Sequence, residues 1–166
     1  DGAMTVQNAI QWIDSLPPSD PVFIWVHLFD PHRPWLPPED LRQENGPDLY
    51  RAEIAYADRQ TGQLMEALEE NGRARQTLLV VAGDHGEGLG DHGESTHAWF
   101  AYDSTLRVPL LLWWGEARDL EIDRGQQIHG PASLVDVFPT LAEIEDFSPT
   151  GSDGISLFTG AQDGQL

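Results

Sequence analysis

Amphipathic helices are predicted where apolar residues recur at steps of three and four positions. Thr5 and Ser133 can each cap the start of a helix, and Gly72 can end one. Pro139 is expected to break or kink the helix that contains it. The three predicted helices span residues 6–16, 48–71 and 133–144.

Continuous runs of apolar and β-branched residues predict buried strands between these helices. The three predicted strands span residues 22–28, 77–82 and 108–114. Prolines indicate a loop over 30–47, glycines indicate a loop over 83–93, and the polar residues after Phe147 predict surface coil. Helices that alternate with fully apolar strands indicate an α/β fold, a layered sheet with helices on both faces. Three strands make a thin sheet, so the chain is expected to be part of a larger domain.

Charge and composition exclude several classes of function. The 166 residues carry 28 acidic and 9 basic side chains, and all the basic ones are arginine, for a formal net charge of −19. Such a field repels phosphate backbones and no basic patch is visible, so nucleic acid is not an expected partner. These residues contain no cysteine, which excludes disulfides, thiolate metal sites and cysteine nucleophiles among them. The apolar runs are too short for a membrane segment, and compartment and oligomeric state stay open.

Polar side chains with ligand chemistry follow two of the predicted strands. In open α/β sheets, ligands bind at the carboxyl ends of strands, so these side chains are expected to gather at one edge. Asp84 and His85 come directly after the second strand, between Gly83 and Gly86, which permit a tight turn. A lone Asp-His pair more often caps a turn than binds a ligand. The glycine frame and the repeat of the motif at residues 91–94 favour a metal or anion site.

The histidines near this predicted edge have two interpretations each. His32 could donate to an anionic ligand or bond to the backbone of its own loop. His97 could contact a ligand or pack beside Trp99. His27, within a predicted strand, is interpreted as a core histidine, and His129 as an exposed one.

The order and spacing of these residues resemble sulfatases, a branch of the alkaline phosphatase-like superfamily. The motifs that carry the resemblance are Phe23-x-Trp25-x-His27-x-x-Asp30-Pro31-His32-x-Pro34, Tyr50-x-x-Glu53-Ile54-x-Tyr56-x-Asp58, Asp84-His85-Gly86-Glu87-x-Leu89-Gly90-Asp91-His92-Gly93 and Leu106-Arg107-Val108-Pro109. The family fold is a large α/β domain followed by a smaller C-terminal subdomain. Residues 1–147 are then expected to be the C-terminal part of the catalytic domain, and residues 148–166 a coil tail or the start of that subdomain.

The resemblance implies an enzyme that hydrolyses sulfate esters of small molecules or glycans. Family members use a formylglycine nucleophile in a Cys/Ser-x-Pro-x-Arg motif. These residues lack that motif, so the chain is expected to be a fragment that is inactive alone. Asp84 and His85 match metal ligands, and His32 and His97 match catalytic histidines that bind the substrate. The family implies one divalent cation, Ca²⁺, whereas an imidazole ligand would also suit Mn²⁺ or Zn²⁺.

Two other functions are compatible with the same residues. A phosphonate monoester or phosphodiester hydrolase of the superfamily would share this part of the chain, and its nucleophile motif would differ. A non-catalytic acidic domain that only binds a metal or a partner would have no nucleophile at all. Metal titration of an Asp84→Ala variant bears on that second alternative.

Overall fold

The structure, a computed structural model, describes residues 1–97, 99–118, 120, 124–148 and 150–162. They belong to two compact units, residues 1–77 and residues 78–166, and each unit is described by itself. Helices combine with one two-stranded sheet, which confirms the mixed α/β class. Among the described helices, none is both long enough and apolar enough to cross a membrane.

Three α-helices form the first unit. They are α1 (Gly2–Asp14), α2 (Glu39–Asn45) and α3 (Leu49–Glu70), and a short 3₁₀ helix (Ala74–Gln76) follows them. Both α1 and α2 pack against α3. The apolar side chains buried between these helices are Val6, Ala9, Ile13, Leu41, Ala52, Tyr56, Leu64 and Leu68. Burying a large apolar side chain stabilises a fold by roughly 1.5–3 kcal/mol, so this interface holds the unit together.

The first helix starts earlier than its sequence predicts. It begins at Gly2, and the Asp1 carboxylate caps it by accepting the Ala3 N–H at 3.0 Å. The prediction that Thr5 caps this helix is therefore wrong. The Gly2 N–H donates to the Asp30 carboxylate at 3.0 Å, a contact 28 residues away in sequence. Sequence patterns near the helix do not predict this contact, because its two residues are far apart in the chain.

A second helix occupies part of the predicted proline-rich loop. Helix α2 follows Pro38, whose fixed φ suits a helix start, and ends at Gly46. Leu41 is buried against α3 and anchors the helix. The expectation of a loop over 30–47 is wrong for this stretch, because the prolines lie outside the helix rather than in it.

The predicted buried strand over 22–28 is wrong as stated. This segment is not a paired strand, and both strands that the structure describes lie in the other unit. Phe23 and Trp25 are 79% and 83% exposed, Ile24 between them is 36% exposed, and Val22 and Val26 on either side are half-buried. The alternation of a strand is present, but no described neighbour in the unit supplies backbone partners.

Helix α3 confirms the longest helical prediction. Asp48 caps it by accepting the Arg51 N–H at 3.0 Å, and Gly72 follows its end with a positive φ of 78°. The buried face differs from the apolar pattern, since Ile54 is 45% exposed while Glu53 is 3% exposed. Burial on α3 is therefore set by the loop and helices that pack on it.

Burial of Glu53 makes the stability of the first unit depend on pH. Burial first, and then the neighbouring Asp30 carboxyl, raise the pKa of Glu53 above its ordinary value of 4.5. Because the folded-state pKa is raised, the stability contribution is complete below 4.5 and is lost as the pH rises through the raised value. Glu53→Gln should remove this loss and stabilise the unit at pH 7 by on the order of 1 kcal/mol.

Urea unfolding at pH 4, 5.5 and 7, followed by far-UV circular dichroism, measures that effect. All other titrating groups are common to both proteins, so the difference between wild type and variant isolates Glu53. The expected difference grows with pH. A difference that stays constant from pH 4 to pH 7 would contradict the raised pKa.

The second unit contains the sheet. Strand β1 (Leu78–Ala82) pairs antiparallel with β2 (Leu110–Trp114), and Val80 lies opposite Leu112. Both strands lie within their predicted ranges. Helix α4 (Asp103–Leu106) lies between them in the chain. Because the pair is antiparallel, the carboxyl ends of β1 and β2 lie at opposite edges.

The last predicted helix is confirmed, but the change of helix type comes before Pro139 and not at it. Ser133 forms a capping box with Asp136 around a 3₁₀ turn (Leu134–Asp136), and α5 (Val137–Ile144) follows it. Pro139 lies in the first turn of α5, where a missing N–H costs no helical hydrogen bond. The change of helix type precedes the proline, so the proline does not interrupt α5.

The prediction of surface coil after Phe147 is wrong for residues 157–162. Helix α6 (Leu157–Gln162) forms there, and Leu157 is 3% exposed. The Leu157 N–H donates to the Thr140 hydroxyl at 2.9 Å, and the Ile155 N–H donates to the Asp136 carboxylate at 2.9 Å. These polar partners lie 17 and 19 residues earlier, and they fasten the tail to α5.

Candidate functional site

The glycine-rich loop after β1 is held close to α4. The Gly83 N–H donates to the Pro109 carbonyl at 3.1 Å, which extends the ladder by one residue beyond β1. The Gly86 N–H donates to the Thr105 carbonyl at 2.8 Å. A Cβ on Gly86 would lie 2.1 Å from the Ser104 carbonyl oxygen, so only glycine fits there. The loop therefore has a fixed path, and Asp84 and His85 lie on it.

Asp84 and His85 present two ligand atoms side by side. The His85 Nδ1 lies 2.8 Å from the Gly86 carbonyl oxygen, and a carbonyl only accepts, so Nδ1 carries the proton. In the neutral ring, Nε2 is then the nitrogen with a lone pair. It lies 3.9 Å from the Asp84 Oδ1. The Asp84 side chain is 75% exposed and that of His85 is 41% exposed, so both are accessible.

This pair fits the donor set of a divalent cation. Two atoms that ligate one ion at about 2.0–2.5 Å are roughly 3–4 Å apart, which includes the observed separation. A backbone carbonyl on the other ring nitrogen is the usual support of a metal-binding histidine. Among the residues that the structure describes, no group of three or more His, Asp or Glu side chains is arranged to hold an ion. Asp84 and His85 are thus two candidate ligands of such an ion.

His97 lies directly beside this pair. Its ring contacts the His85 ring with centroids 4.0 Å apart, and its Nδ1 is 3.5 Å from the Glu87 Oε1. The Glu87 side chain is 5% exposed, and the same oxygen accepts the Gly88 N–H at 3.0 Å. A buried carboxylate beside His97 complements the charge of an imidazolium. The sequence indicated that Glu87 braces its loop, but not its contact with His97.

His32 lies in the first unit. Its Nδ1 is 2.6 Å from the Arg33 carbonyl oxygen, and its backbone N–H donates to the Phe29 carbonyl at 3.0 Å. Its ring contacts that of Phe29, with centroids 4.4 Å apart. Of the four predicted site residues, Asp84, His85 and His97 are therefore together in the second unit.

The repeated Asp91-His92 pair has a different environment. The His92 Nδ1 is 3.1 Å from the Asp91 Oδ2, and the His92 ring stacks on Tyr102 at 4.1 Å. The His92 side chain beside Asp91 holds the pKa of that carboxyl below its usual range. Each member of this pair is engaged by the other or by Tyr102, which fits a structural role. The contact with Tyr102 has no signal in the sequence.

An open cavity is lined by residues that flank His97 in the sequence. Its volume is about 330 Å³, and it is lined by Gly93, Glu94, Ser95, Thr96, Trp99 and Phe100. Trp99 and Phe100 are 80% and 66% exposed, whereas the His97 ring packs on His85. The exposed side chains of Trp99 and Phe100 thus border this open space.

Comparison with known proteins gives a consistent result. A family model described as Sulfatase matches residues 3–146. An arylsulfatase of Clostridium perfringens is 25% identical over 197 residues, which cover 92% of this chain and 40% of that protein. A choline-sulfatase of Rhizobium meliloti is 33% identical over 130 residues, which cover 71% of this chain and 23% of that protein. The chain thus spans less than half of these relatives.

The fold agrees with the sequence comparison. The crystal structure of the Bacteroides fragilis protein yidJ matches with a TM-score of 0.83 and 21% identity, over 98% of this chain and 41% of that one. At this identity the likeness concerns the fold alone. The family match covers most of the residues, including Asp84, His85 and His97. The chain belongs to the sulfatase family.

Proposed function

We propose that this chain supplies metal-binding and sulfate-binding residues to an enzyme that hydrolyses sulfate esters. The observation that carries the proposal is the group of Asp84, His85 and His97 on the loop after β1 of a sulfatase-family chain. Relatives include an arylsulfatase, a choline-sulfatase and an iduronate 2-sulfatase. These names share the sulfate ester and differ in the alcohol, so the proposal covers small-molecule and glycan sulfates.

Asp84 and His85 are the proposed ligands of one divalent cation. The Asp84 Oδ1 and the His85 Nε2 would hold it, with the Gly86 carbonyl fixing the ring. Carboxylate oxygen suits Ca²⁺, and the mixed oxygen and nitrogen pair also suits Mn²⁺ or Zn²⁺. A bound cation at this place supplies a Lewis acid that offsets negative charge on sulfate oxygens.

His97 is the proposed proton donor to the ester. Its Nδ1 faces the buried Glu87 carboxylate, so Nε2 is the atom that would donate to the bridging oxygen or to a sulfate oxygen. Donation at the bridging oxygen stabilises the leaving alkoxide. The cavity lined by Thr96, Trp99 and Phe100 is the proposed place for the alcohol part of the ester.

His32, in the first unit, is proposed to bind a sulfate oxygen, as the family resemblance implies. The His32 Nδ1 carries a proton that is directed to the Arg33 carbonyl oxygen. The other nitrogen, Nε2, can therefore donate a hydrogen bond only when both ring nitrogens are protonated. An imidazolium both donates a hydrogen bond and carries a positive charge, and both favour a sulfate oxygen.

The nucleophile is proposed to be a formylglycine in a part of the protein outside these residues. Two observations support this. The chain covers 40% of the length of the Clostridium perfringens arylsulfatase. The segment over 22–28 also exposes Phe23 and Trp25 and lacks a described strand partner, as expected of a strand completed by other parts of the domain.

Expression of the complete reading frame tests the proposal. We expect hydrolysis of 4-nitrophenyl sulfate that is lost with EDTA and restored by one of Ca²⁺, Mn²⁺ or Zn²⁺. Faster hydrolysis of bis(4-nitrophenyl) phosphate or of a phosphonate monoester would overturn sulfate specificity in favour of the sister activities. A frame without a Cys/Ser-x-Pro-x-Arg motif, inactive on all these esters, would overturn the catalytic proposal in favour of metal or partner binding.

A further inference from the structure

Glu53 is a buried carboxyl group that the proposed chemistry does not use. It lies on α3 and is 3% exposed. Its Oε1 accepts the Leu36 N–H at 2.6 Å. Burying a carboxyl group lowers the free energy of unfolding unless the group is hydrogen-bonded, so the contacts of Glu53 indicate its role.

Glu53 connects the two ends of one loop, residues 30–36, which contains His32. At one end it accepts the Leu36 N–H. At the other end lies the neighbouring Asp30 carboxyl. Burial and this carboxyl together raise the pKa of Glu53, and the carboxyl also accepts the Gly2 N–H of α1 at 3.0 Å. Two neighbouring carboxyl groups can hydrogen-bond to each other only when they share a proton. The raised pKa of Glu53 agrees with its holding that proton.

Within the loop, the backbone orients the histidine. The His32 N–H donates to the Phe29 carbonyl at 3.0 Å, and its Nδ1 lies 2.6 Å from the Arg33 carbonyl oxygen. The Trp35 indole N–H donates to the Pro31 carbonyl at 3.1 Å. The orientation of the His32 ring thus follows the backbone of the loop. Glu53 accepts the backbone N–H of Leu36 at one end of this loop and neighbours the Asp30 carboxyl at the other.

We propose that Glu53 is a positioning residue, which closes the loop over 30–36 and so sets the place of the His32 imidazole. The proposal deepens the proposed function and rests on it for the role of His32 toward sulfate. It predicts that the carboxylate can be replaced by an amide but not by a shorter side chain. The glutamine Oε1 can accept the Leu36 N–H, and its amide N–H can donate to Asp30 without a shared proton.

Imidazole ¹H–¹⁵N correlation spectra of the 166-residue chain test this directly. In wild type, the His32 Nδ1 is expected to show the shift of a protonated, hydrogen-bonded nitrogen. Glu53→Gln should keep that shift, and Glu53→Ala should move it toward the average of two tautomers. Gln60→Ala is the matched control, because Gln60 is also 3% exposed on α3 and lies seven residues, about two helical turns, after Glu53. It should leave His32 unchanged.

Two outcomes would overturn the proposal. One is an unchanged His32 spectrum in Glu53→Ala, and the other is the same change in Glu53→Gln as in Glu53→Ala. If Glu53→Ala does not fold, Glu53→Asp replaces it, because the shorter side chain cannot keep the 2.6 Å bond to Leu36. Glu53→Asp must then reproduce the expected change.

The complete enzyme separates this inference from the proposed function. Glu53→Ala should lower kcat/KM for a sulfate ester by about 10- to 100-fold, as misplacement of a binding group does, and Glu53→Gln should restore it. Spectra as expected, without any sulfatase activity in wild type, would overturn the proposed function and leave the positioning of His32 standing. Sulfatase activity in wild type, together with an unchanged His32 spectrum in Glu53→Ala, would overturn the positioning role of Glu53 and leave the proposed function standing.

Discussion

Asp84→Ala in the complete enzyme is expected to reduce kcat for sulfate ester hydrolysis by about 100-fold or more, because it removes a charged ligand of the proposed cation. The neighbouring ligand atom, the His85 Nε2, would be left without the oxygen 3.9 Å away. Metal content after dialysis should fall in parallel. Raising the concentration of the cation should restore part of the rate, which a misfolded variant would not show.

The chain supplies its own control for this variant. Asp91 begins a second Asp-His-Gly-Glu sequence, but its carboxylate lies 3.1 Å from the adjacent His92 Nδ1, and that ring stacks on Tyr102. Asp91→Ala removes the same chemical group from the same local motif, and it should change kcat by less than about threefold. Equal losses in Asp84→Ala and Asp91→Ala would contradict the assignment of the metal pair to Asp84 and His85.

Gly86→Ala is expected to have the largest effect on stability. Its Cβ would lie 2.1 Å from the Ser104 carbonyl oxygen and 3.2 Å from the Thr105 Cα, and both are backbone atoms of α4. Backbone cannot move aside as a side chain can, so the loop must leave α4 and lose the bond from the Gly86 N–H to Thr105. Overpacking of this kind costs about 3 kcal/mol or more.

Gly83→Ala is the matched control for that variant. A Cβ on Gly83 would lie 3.4 Å from side-chain atoms of Pro109 and Val108, an ordinary contact. Its effect should stay within about 1 kcal/mol. Chemical denaturation of both variants measures the difference, and His85 imidazole spectra show whether the loop has moved. A Gly86→Ala protein as stable as Gly83→Ala would show that the loop has room that the structure does not show.

Local signals predicted the elements that local contacts determine. Helix α3 has its cap at Asp48 and its stop at Gly72 within a few residues of its ends, so sequence alone placed it correctly. Strands β1 and β2 were likewise predicted by their apolar runs. The same reasoning failed for α6, since Asp136 and Thr140, which fasten the tail, lie far from it in sequence.

In the candidate site, too, local sequence predicts some features and not those that depend on distant contacts. Asp84 and His85 were predicted because both ligands and both framing glycines are adjacent in sequence. The pairing of His97 with a buried Glu87 depends on how the loop folds back, which spacing does not specify. For 22–28 the prediction of a buried strand is wrong, because strand pairing and burial depend on neighbouring strands that the described residues do not provide there.

The two-stranded sheet has a consequence for amide hydrogen exchange. In an antiparallel pair, hydrogen-bonded and non-bonded positions alternate, so a strand with one partner protects every second amide. In the described residues, β1 and β2 have only each other as partners. Exchange along 78–82 should therefore alternate between slow and fast in the 166-residue chain. If the complete enzyme adds a strand to the outer edge of β1, the fast amides should become slow as well. The exchange pattern of five residues would then report the assembly of the entire domain.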